Sequence, residues 1–428
     1  MDMKKRVNKL RRSLITQCKK VPALHFAVRI DTSLRLNEYQ KRIAANPIDE
    51  KAVFFESFSG GSYGCSPKAI YKEMCADDRF DDWTFYWSFR INGQPFLDEA
   101  LELGRAVVVR PGSDEYYDAL ASCKYWVRNN RVAEFAYPRD EQVYVQTWHG
   151  TPLKALGLDA KEVKGGSYNS GMELARQNIV DMHKWTYLIS PSPYTSKCLS
   201  SAFAISEDRA KSIIVEEGYP RNDDIVNRSA SAEMQNVVKR HLGLPLDKKM
   251  LLYAPTWRDD QRDADGNYYF DLSLDLNAMK KALGKEWAIL VRLHSLVKNR
   301  FDLSRWSGFA YDASDVNDIN DLYCISDALC TDYSSVFFDF ANTGRPIYFF
   351  VPDYEHYKSE LHDFYIDMDE TPGPKCQTTD ELIAKLKGYD GWMDMYGNAY
   401  ANFKSRFCPW DDGNVSKRVV ARCIGADS

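Results

Sequence analysis

A histidine stands where a strand-like run meets a turn, in Gln146-Thr147-Trp148-His149-Gly150-Thr151-Pro152-Leu153-Lys154. The stretch Gln142–Trp148 is β-branched and aromatic, which predicts a strand ending beside His149. Pro152 suits the first turn of a helix, with Thr151 as its cap. That corner would place His149 beside unpaired backbone N–H groups, where helix starts favour anions and open α/β sheets bind ligands. A base titrating near neutrality beside an anion-binding corner points to phosphoryl chemistry.

A second constellation is Asp327-Ala328-Leu329-Cys330-Thr331-Asp332-Tyr333-Ser334-Ser335-Val336-Phe337-Phe338-Asp339. A buried strand would deliver Thr331 and Asp332, and Ser334 and Ser335 would cap the next helix. Hydroxyls and free N–H groups at a helix start form a cradle suited to a diphosphate. One turn on, Asp339 shares a face with Ser335 and could accept from ribose hydroxyls. A plain N-cap with a solvated Asp339 is the ordinary alternative. Two more strand ends carry polar groups: Thr256 and Arg258 after Tyr253-Ala254-Pro255, and Arg292 and His294 in Leu290–His294. Arginine suits bidentate phosphate binding and histidine can donate to a phosphate oxygen. A lone histidine is more often a satisfied core residue, but three polar strand ends converge on one sheet edge.

The elements that must position these residues alternate between strand and helix, predicting α/β architecture with two parallel sheets. In the first half, strands are expected at Ala52–Ser57, Trp83–Phe89, Ala106–Arg110, Tyr125–Arg128, Val143–Trp148, Trp185–Ser190 and Ile213–Glu216. The second half restarts at Lys249–Pro255 and continues with Trp287–Arg292, Ala328–Thr331 and Pro346–Phe350, with helices at Ile319–Ile325 and Ser334–Asn342. The boundaries that follow are a basic segment 1–22, an acceptor-side domain 23–217, a donor-side domain 218–408 and a C-terminal helix within 409–428. Two facing Rossmann-like domains with a cleft between them are expected.

At 428 residues the chain exceeds one ordinary core, and 44% hydrophobic with 27% charged residues is typical of a globular protein. A net charge of −5 argues against general nucleic-acid binding. Ten cysteines lack metal-ligand spacing and read as reduced and mostly buried. No secretory signal and no bilayer-length apolar run is visible. Residues 1–20 hold eight Lys and Arg against one acid, Asp2, with Val7, Leu10, Leu14 and Cys18 at helical spacing. That segment could lie on an anionic membrane surface, or be an ordinary solvated helix. Asp259-Asp260 reads as solvated loop acids rather than a metal site, so no metal or other cofactor is expected to be strictly required.

The ordered set His149–Lys154, Gly218-Tyr219-Pro220-Arg221-Asn222-Asp223, Ala254-Pro255-Thr256-Trp257-Arg258, Arg292-Leu293-His294 and Thr331–Ser335 resembles the CDP-glycerol glycerophosphotransferase family. Tyr125–Asn130 and Asp411–Arg418 extend the resemblance from about Phe54 to about Val419. It implies a GT-B-like architecture and a phosphotransferase of teichoic acid or capsule-like polymer synthesis. A CDP-activated polyol phosphate, CDP-glycerol or CDP-ribitol, would sit in the second domain while an acceptor hydroxyl attacks its distal phosphorus and CMP leaves. His149 would be the general base. Arg258, Arg292, His294, Ser334 and Ser335, with Thr256, Thr331 and Asp332, would form the donor side. Asp339 is the candidate for the ribose, and Asn129, Asn130, Thr151 and Lys154 fall on the acceptor side. A lipid-linked or polymeric acceptor and a place at the cytoplasmic membrane face, or in the cytoplasm, would follow. The compact chain suits a primase, a short-chain polymerase or a capsule transferase equally. A GT-B glycosyltransferase using a nucleotide sugar is the rival, since architecture alone does not separate the two; a non-catalytic membrane scaffold is a weaker one.

Overall fold

In the computed structural model, residues 25–90, 99, 104–160, 171–256, 272–293, 302–354 and 364–425 are described. The basic segment 1–22, Arg258, Asp259-Asp260 and His294 fall outside them. The first sheet comprises β1 (Asp49–Glu56), β2 (Thr84–Ser88), β3 (Ala106–Val109), β4 (Cys123–Arg128), β5 (Val143–Gln146), β6 (Tyr187–Ser190) and β7 (Ile214–Glu216). The second comprises β8 (Lys249–Ala254), β9 (Trp287–Val291), β10 (Ala310–Asp312), β11 (Ala328–Thr331), β12 (Ile347–Phe350) and β13 (Lys375–Cys376). Their orders are β3-β2-β1-β4-β5-β6-β7 and β10-β9-β8-β11-β12-β13. Every ladder is parallel.

Parallel sheets are covered on both faces, so their strands are apolar on both sides. Along β1 the alternation is direct: Val53 and Phe55 enter one core cluster, Ala52 and Phe54 another. All five residues of β9 are buried. Edge strands β10 and β13 carry no signal in the sequence, because three and two residues are too few for a period to register. Chain order reverses between β1 and β4 and between β8 and β11, and crevices at strand C-termini open at such points.

Two local expectations are corrected. No helix begins at Pro152: β5 stops at Gln146, Trp148 takes φ 54°, and residues 151–156 run without helical structure. A proline's fixed φ and missing N–H suit an extended strap as well as a first helical turn. Burial decides between them, because Leu153 joins the core of the second sheet. Tyr365 N–H donates to the Leu153 carbonyl at 2.9 Å, Lys154 bridges Phe364, and Tyr194 Oη donates to the Pro152 carbonyl at 2.6 Å. The second correction concerns the helix after Ser335, which is only Val336–Phe340 before a turn at Ala341–Thr343. Ser335 occupies the cap position without making a side-chain cap hydrogen bond.

The C-terminal helix spans Val415–Cys423 and returns to the first half, burying Val415, Val419, Val420 and Cys423 in that core. Asp223 caps it from a distance, accepting from Val415 N–H at 2.8 Å and Ser416 N–H at 2.6 Å. Asp411 in turn accepts from Tyr219 N–H and from the Asn222 and Asn342 amides. The 218–223 and 411–416 motifs thus grip each other and fix how the chain crosses between the two halves. Among the described residues no helix is long and apolar enough to cross a membrane.

Candidate active site

A cavity of about 360 Å³ opens between the two halves. The strap Trp148–Lys154 forms one wall; Ala254–Thr256 after β8, Arg292-Leu293 after β9 and Tyr333–Val336 after β11 form the other. β8 lies between β9 and β11, so three adjacent strand ends converge there, as the sequence led one to expect. The walls come close at Gly150, where a Cβ would come within 3.3 Å of Ser335 Oγ. A buried ion pair, Lys68–Asp318 at 3.1 Å, and the Asn317 amide donating to the Tyr63 carbonyl at 2.6 Å tie the halves together beside it.

His149 follows a strained residue. A φ of 54° is rare for a bulky aromatic, and Trp148 is held there by Gln146 Oε1, which accepts its N–H at 3.0 Å. The imidazole stacks on the Trp148 ring with centroids 4.5 Å apart. His149 keeps exposed surface, while the protein atoms packed around the imidazole still desolvate it. That crowding, and next the positive charge of Arg221, pushes its pKa down to about 4. Both causes disfavour imidazolium, so the neutral, proton-accepting form prevails at neutral pH.

Of the residues singled out from the sequence, His149, Thr151, Lys154, Thr256, Arg292, Ser334 and Ser335 line the cavity. Thr331 and Asp332 are buried behind it and brace the strand ends. Thr331 Oγ1 donates to the Ala254 carbonyl at 2.7 Å, and Asp332 Oδ1 accepts from Thr256 N–H at 2.8 Å and Tyr333 N–H at 2.6 Å. The Arg292 guanidinium is anchored by donation to the carbonyls of Ala313 and Val316, and burial pulls its pKa below the ordinary arginine value. Asp339 is neither solvated nor in the cavity wall: its two oxygens accept from Arg221 at 2.8 and 3.2 Å, with Arg221 itself 5% exposed. Asn129 and Asn130 lie at the end of β4, holding the loop that follows β1.

Three groups carry more of the site than their sequence signal suggested. Arg221 belongs to the 218–223 motif but had no assigned role. Trp148 was read as strand. Phe58, 6.2 Å from the His149 ring between centroids, had no motif around it. Among the described residues no group of three or more His, Cys, Asp or Glu is placed to hold a metal ion.

Two facing parallel sheets, with a histidine on one wall of the cleft and an arginine with hydroxyls on the other, give the chain a GT-B-like architecture. The chain belongs to the family described as CDP-glycerol:poly(glycerophosphate) glycerophosphotransferase, whose model matches residues 38–425. It is 40% identical over 385 residues to the teichoic acid poly(glycerol phosphate) polymerase of Bacillus subtilis (strain 168), covering 89% of this chain and 50% of that protein. The chain therefore spans about half the length of that relative. Against the enzyme of the same description from Bacillus spizizenii it is 39% identical over 383 residues, covering 89% of this chain and 93% of the other. Its fold matches a structure of the wall teichoic acid polymerase TagF with CDPG, at a TM-score of 0.81 and 36% identity over 96% of both chains. The teichoic acid poly(ribitol-phosphate) polymerase of Bacillus spizizenii is more distant, 25% identical over 384 residues and covering 88% of this chain and 57% of that protein.

Proposed function

We propose that the chain transfers glycerol phosphate from CDP-glycerol to an acceptor hydroxyl, with release of CMP, during synthesis of a teichoic acid or capsule-like cell-surface polymer. The observation that carries this reading is His149 set across a 360 Å³ cavity from Arg292, Ser334 and Ser335. In this reaction the acceptor oxygen bonds to the distal phosphorus of the donor as its proton passes to the His149 imidazole. The bond from that phosphorus to the bridging oxygen breaks, and CMP leaves with the electron pair. Charge spreads over the phosphoryl oxygens, where a fixed guanidinium and donor hydroxyls stabilise it. Arg292, Ser334 and Ser335 serve that role from the second half. Lys154, on the strap, meets the acceptor or the transferred phosphate. Asn129 and Asn130 act on the acceptor side by shaping the loop after β1.

Glycerol is favoured over ribitol as the polyol, because relatives named for glycerol phosphate are nearer in sequence than the one named for ribitol. A lipid-linked or polymeric acceptor would be met at the cytoplasmic membrane face, with residues 1–20 on the anionic surface. The test is a donor screen with a lipid-linked acceptor analogue and product analysis. CMP release from CDP-glycerol, with a new phosphodiester on the acceptor, supports the reading. Turnover of a nucleotide sugar alone would replace it with the glycosyltransferase reading, and liposome binding with no turnover would leave a scaffold.

Two expected results probe the two walls. Replacing Ser334 and Ser335 together by alanine removes hydroxyl donors to a charged group, each worth about 1.5–3 kcal/mol, so donor affinity should fall at least about tenfold. Calorimetric titration with CDP-glycerol reads this, and unchanged affinity would remove both serines from the donor cradle. The second result concerns pH. The His149 pKa is depressed in the free enzyme, so the acid limb of kcat/KM should lie below the ordinary imidazole value of 6.5. A bound diphosphate brings negative charge and stabilises imidazolium, so the kcat limb should lie at higher pH than the kcat/KM limb. A kcat/KM limb at or above 6.5 would contradict a neutral, crowded base.

A further inference from the structure

Phe58 is a large apolar side chain left 41% exposed, in a backbone conformation that aromatic residues seldom adopt. Its φ is 48°, and Ser59 follows at 55°. Each such residue costs on the order of 1–2 kcal/mol, so the surroundings must impose the conformation. They do so from several directions. Asn129 is fully buried, and its Oδ1 accepts the Phe58 N–H at 2.8 Å. The Asn130 amide donates to Ser59 Oγ at 3.2 Å, and Arg90 Nε donates to the Ser59 carbonyl at 2.9 Å. Gly60 closes the turn at φ 77°, where a Cβ would meet Pro111 Cγ at 2.8 Å.

The product of this bracing is one contact. The Phe58 ring lies 6.2 Å from the His149 ring between centroids, tilted at 48°, while Trp148 stacks on the imidazole at 4.5 Å. The imidazole thus has aromatic neighbours from just past the ends of two strands, β1 and β5, and both of those residues are themselves at positive φ. A ring with no packing neighbour rotates freely about its side-chain bonds, whereas one between aromatics keeps its nitrogens aimed in one direction.

We propose that Phe58 is a positioning residue for His149: set by Asn129, its ring packs on the imidazole and fixes the direction in which that ring takes up the acceptor proton. The proposal rests on the phosphotransferase reading above and assigns a use to the strained loop after β1. Through Phe58 it gives Asn129 a part on the acceptor side, although Asn129 does not line the cavity.

The test compares Phe58→Ala and Phe58→Leu with the conservative Phe58→Tyr. The ring is partly exposed and the backbone is braced independently, so all three should fold, as circular dichroism will read. Loss of the ring should lower kcat by about ten- to a hundredfold, the scale of a small misplacement of a catalytic group. The KM values for CDP-glycerol and acceptor should stay unchanged, the acid limb should move to higher pH, and Phe58→Tyr should restore the rate. In parallel, proton titration of the His149 resonance by NMR, assigned with His149→Gln, should shift upward in Phe58→Ala as one of the rings packed against the imidazole is lost. That measurement needs no turnover, so it tests the packing even if the donor screen fails. Wild-type kcat together with an unmoved imidazole titration in Phe58→Ala would overturn the proposal. So would a rise confined to the acceptor KM, which would make Phe58 an acceptor contact instead.

Discussion

Replacing His149 by alanine should leave CDP-glycerol binding intact and lower turnover by about 10²–10⁴, the usual contribution of a positioned general base. The two halves of this expectation come from different walls of the cavity. Arg292, Ser334 and Ser335, the proposed donor contacts, line the wall opposite His149, and the Arg292 guanidinium is anchored by the Ala313 and Val316 carbonyls rather than by the imidazole. The imidazole is anchored instead by its own strand end, through the Trp148 stack. Removing the ring leaves the acceptor hydroxyl with only water to take its proton. Calorimetry and single-turnover CMP release on the same variant separate the two effects. Equal losses of binding and rate would make His149 a donor ligand, and a near-normal rate would remove it from the mechanism.

The second large effect is on stability. Arg221→Ala should cost about 3–5 kcal/mol, because it leaves the Asp339 carboxylate nearly buried without its partner. A loss of that size is a large fraction of the 5–15 kcal/mol that usually holds a domain together. The Arg221 guanidinium also lies over the Tyr219 ring at 4.0 Å and donates to Cys65 Sγ of the first half at 3.7 Å, so the side chain sits in the seam between the halves. Truncation should therefore loosen the closure of the cleft as well as the local core. The double change Arg221→Met with Asp339→Leu removes both charges and should recover much of the loss, since an uncompensated buried charge is what makes the single change costly. Denaturant midpoints of the two variants decide this. A single variant as stable as wild type would show that Asp339 finds another partner. The double variant carries a second readout: after burial, the charge of Arg221 is what depresses His149, so its removal should raise the acid limb of kcat/KM.

Much of this molecule was legible in residue order alone. Apart from the short edge strands β10 and β13, the strands of both sheets follow from runs such as Ala328–Thr331 and Trp287–Val291, because a parallel strand buried on both faces must be apolar throughout. The helix pattern at Ile319–Ile325 matches the observed bounds, to which the structure adds Asp318 as the cap. His149 at the end of a strand, and polar residues at three further strand ends, needed only local pattern. The order of the motifs along the chain sufficed to suggest the family.

What local pattern could not decide was where long-range burial and distant partners prevail. Thr151-Pro152 looked like a helix start, but Leu153 gains more by entering the core of the opposite half than a short helix would gain from its cap, so the segment became a strap. Asp339 had the right spacing from Ser335 for a ribose, yet its partner is Arg221, 118 positions earlier in the chain. The strained conformations of Phe58 and Trp148 are likewise imposed by Asn129 and Gln146, not by their own preferences. The sequence by itself determined the two-sheet architecture and the chemical groups at the strand ends. Only the tertiary structure decided which of those groups share the cavity and how His149 is held, because both depend on contacts between residues far apart in the chain.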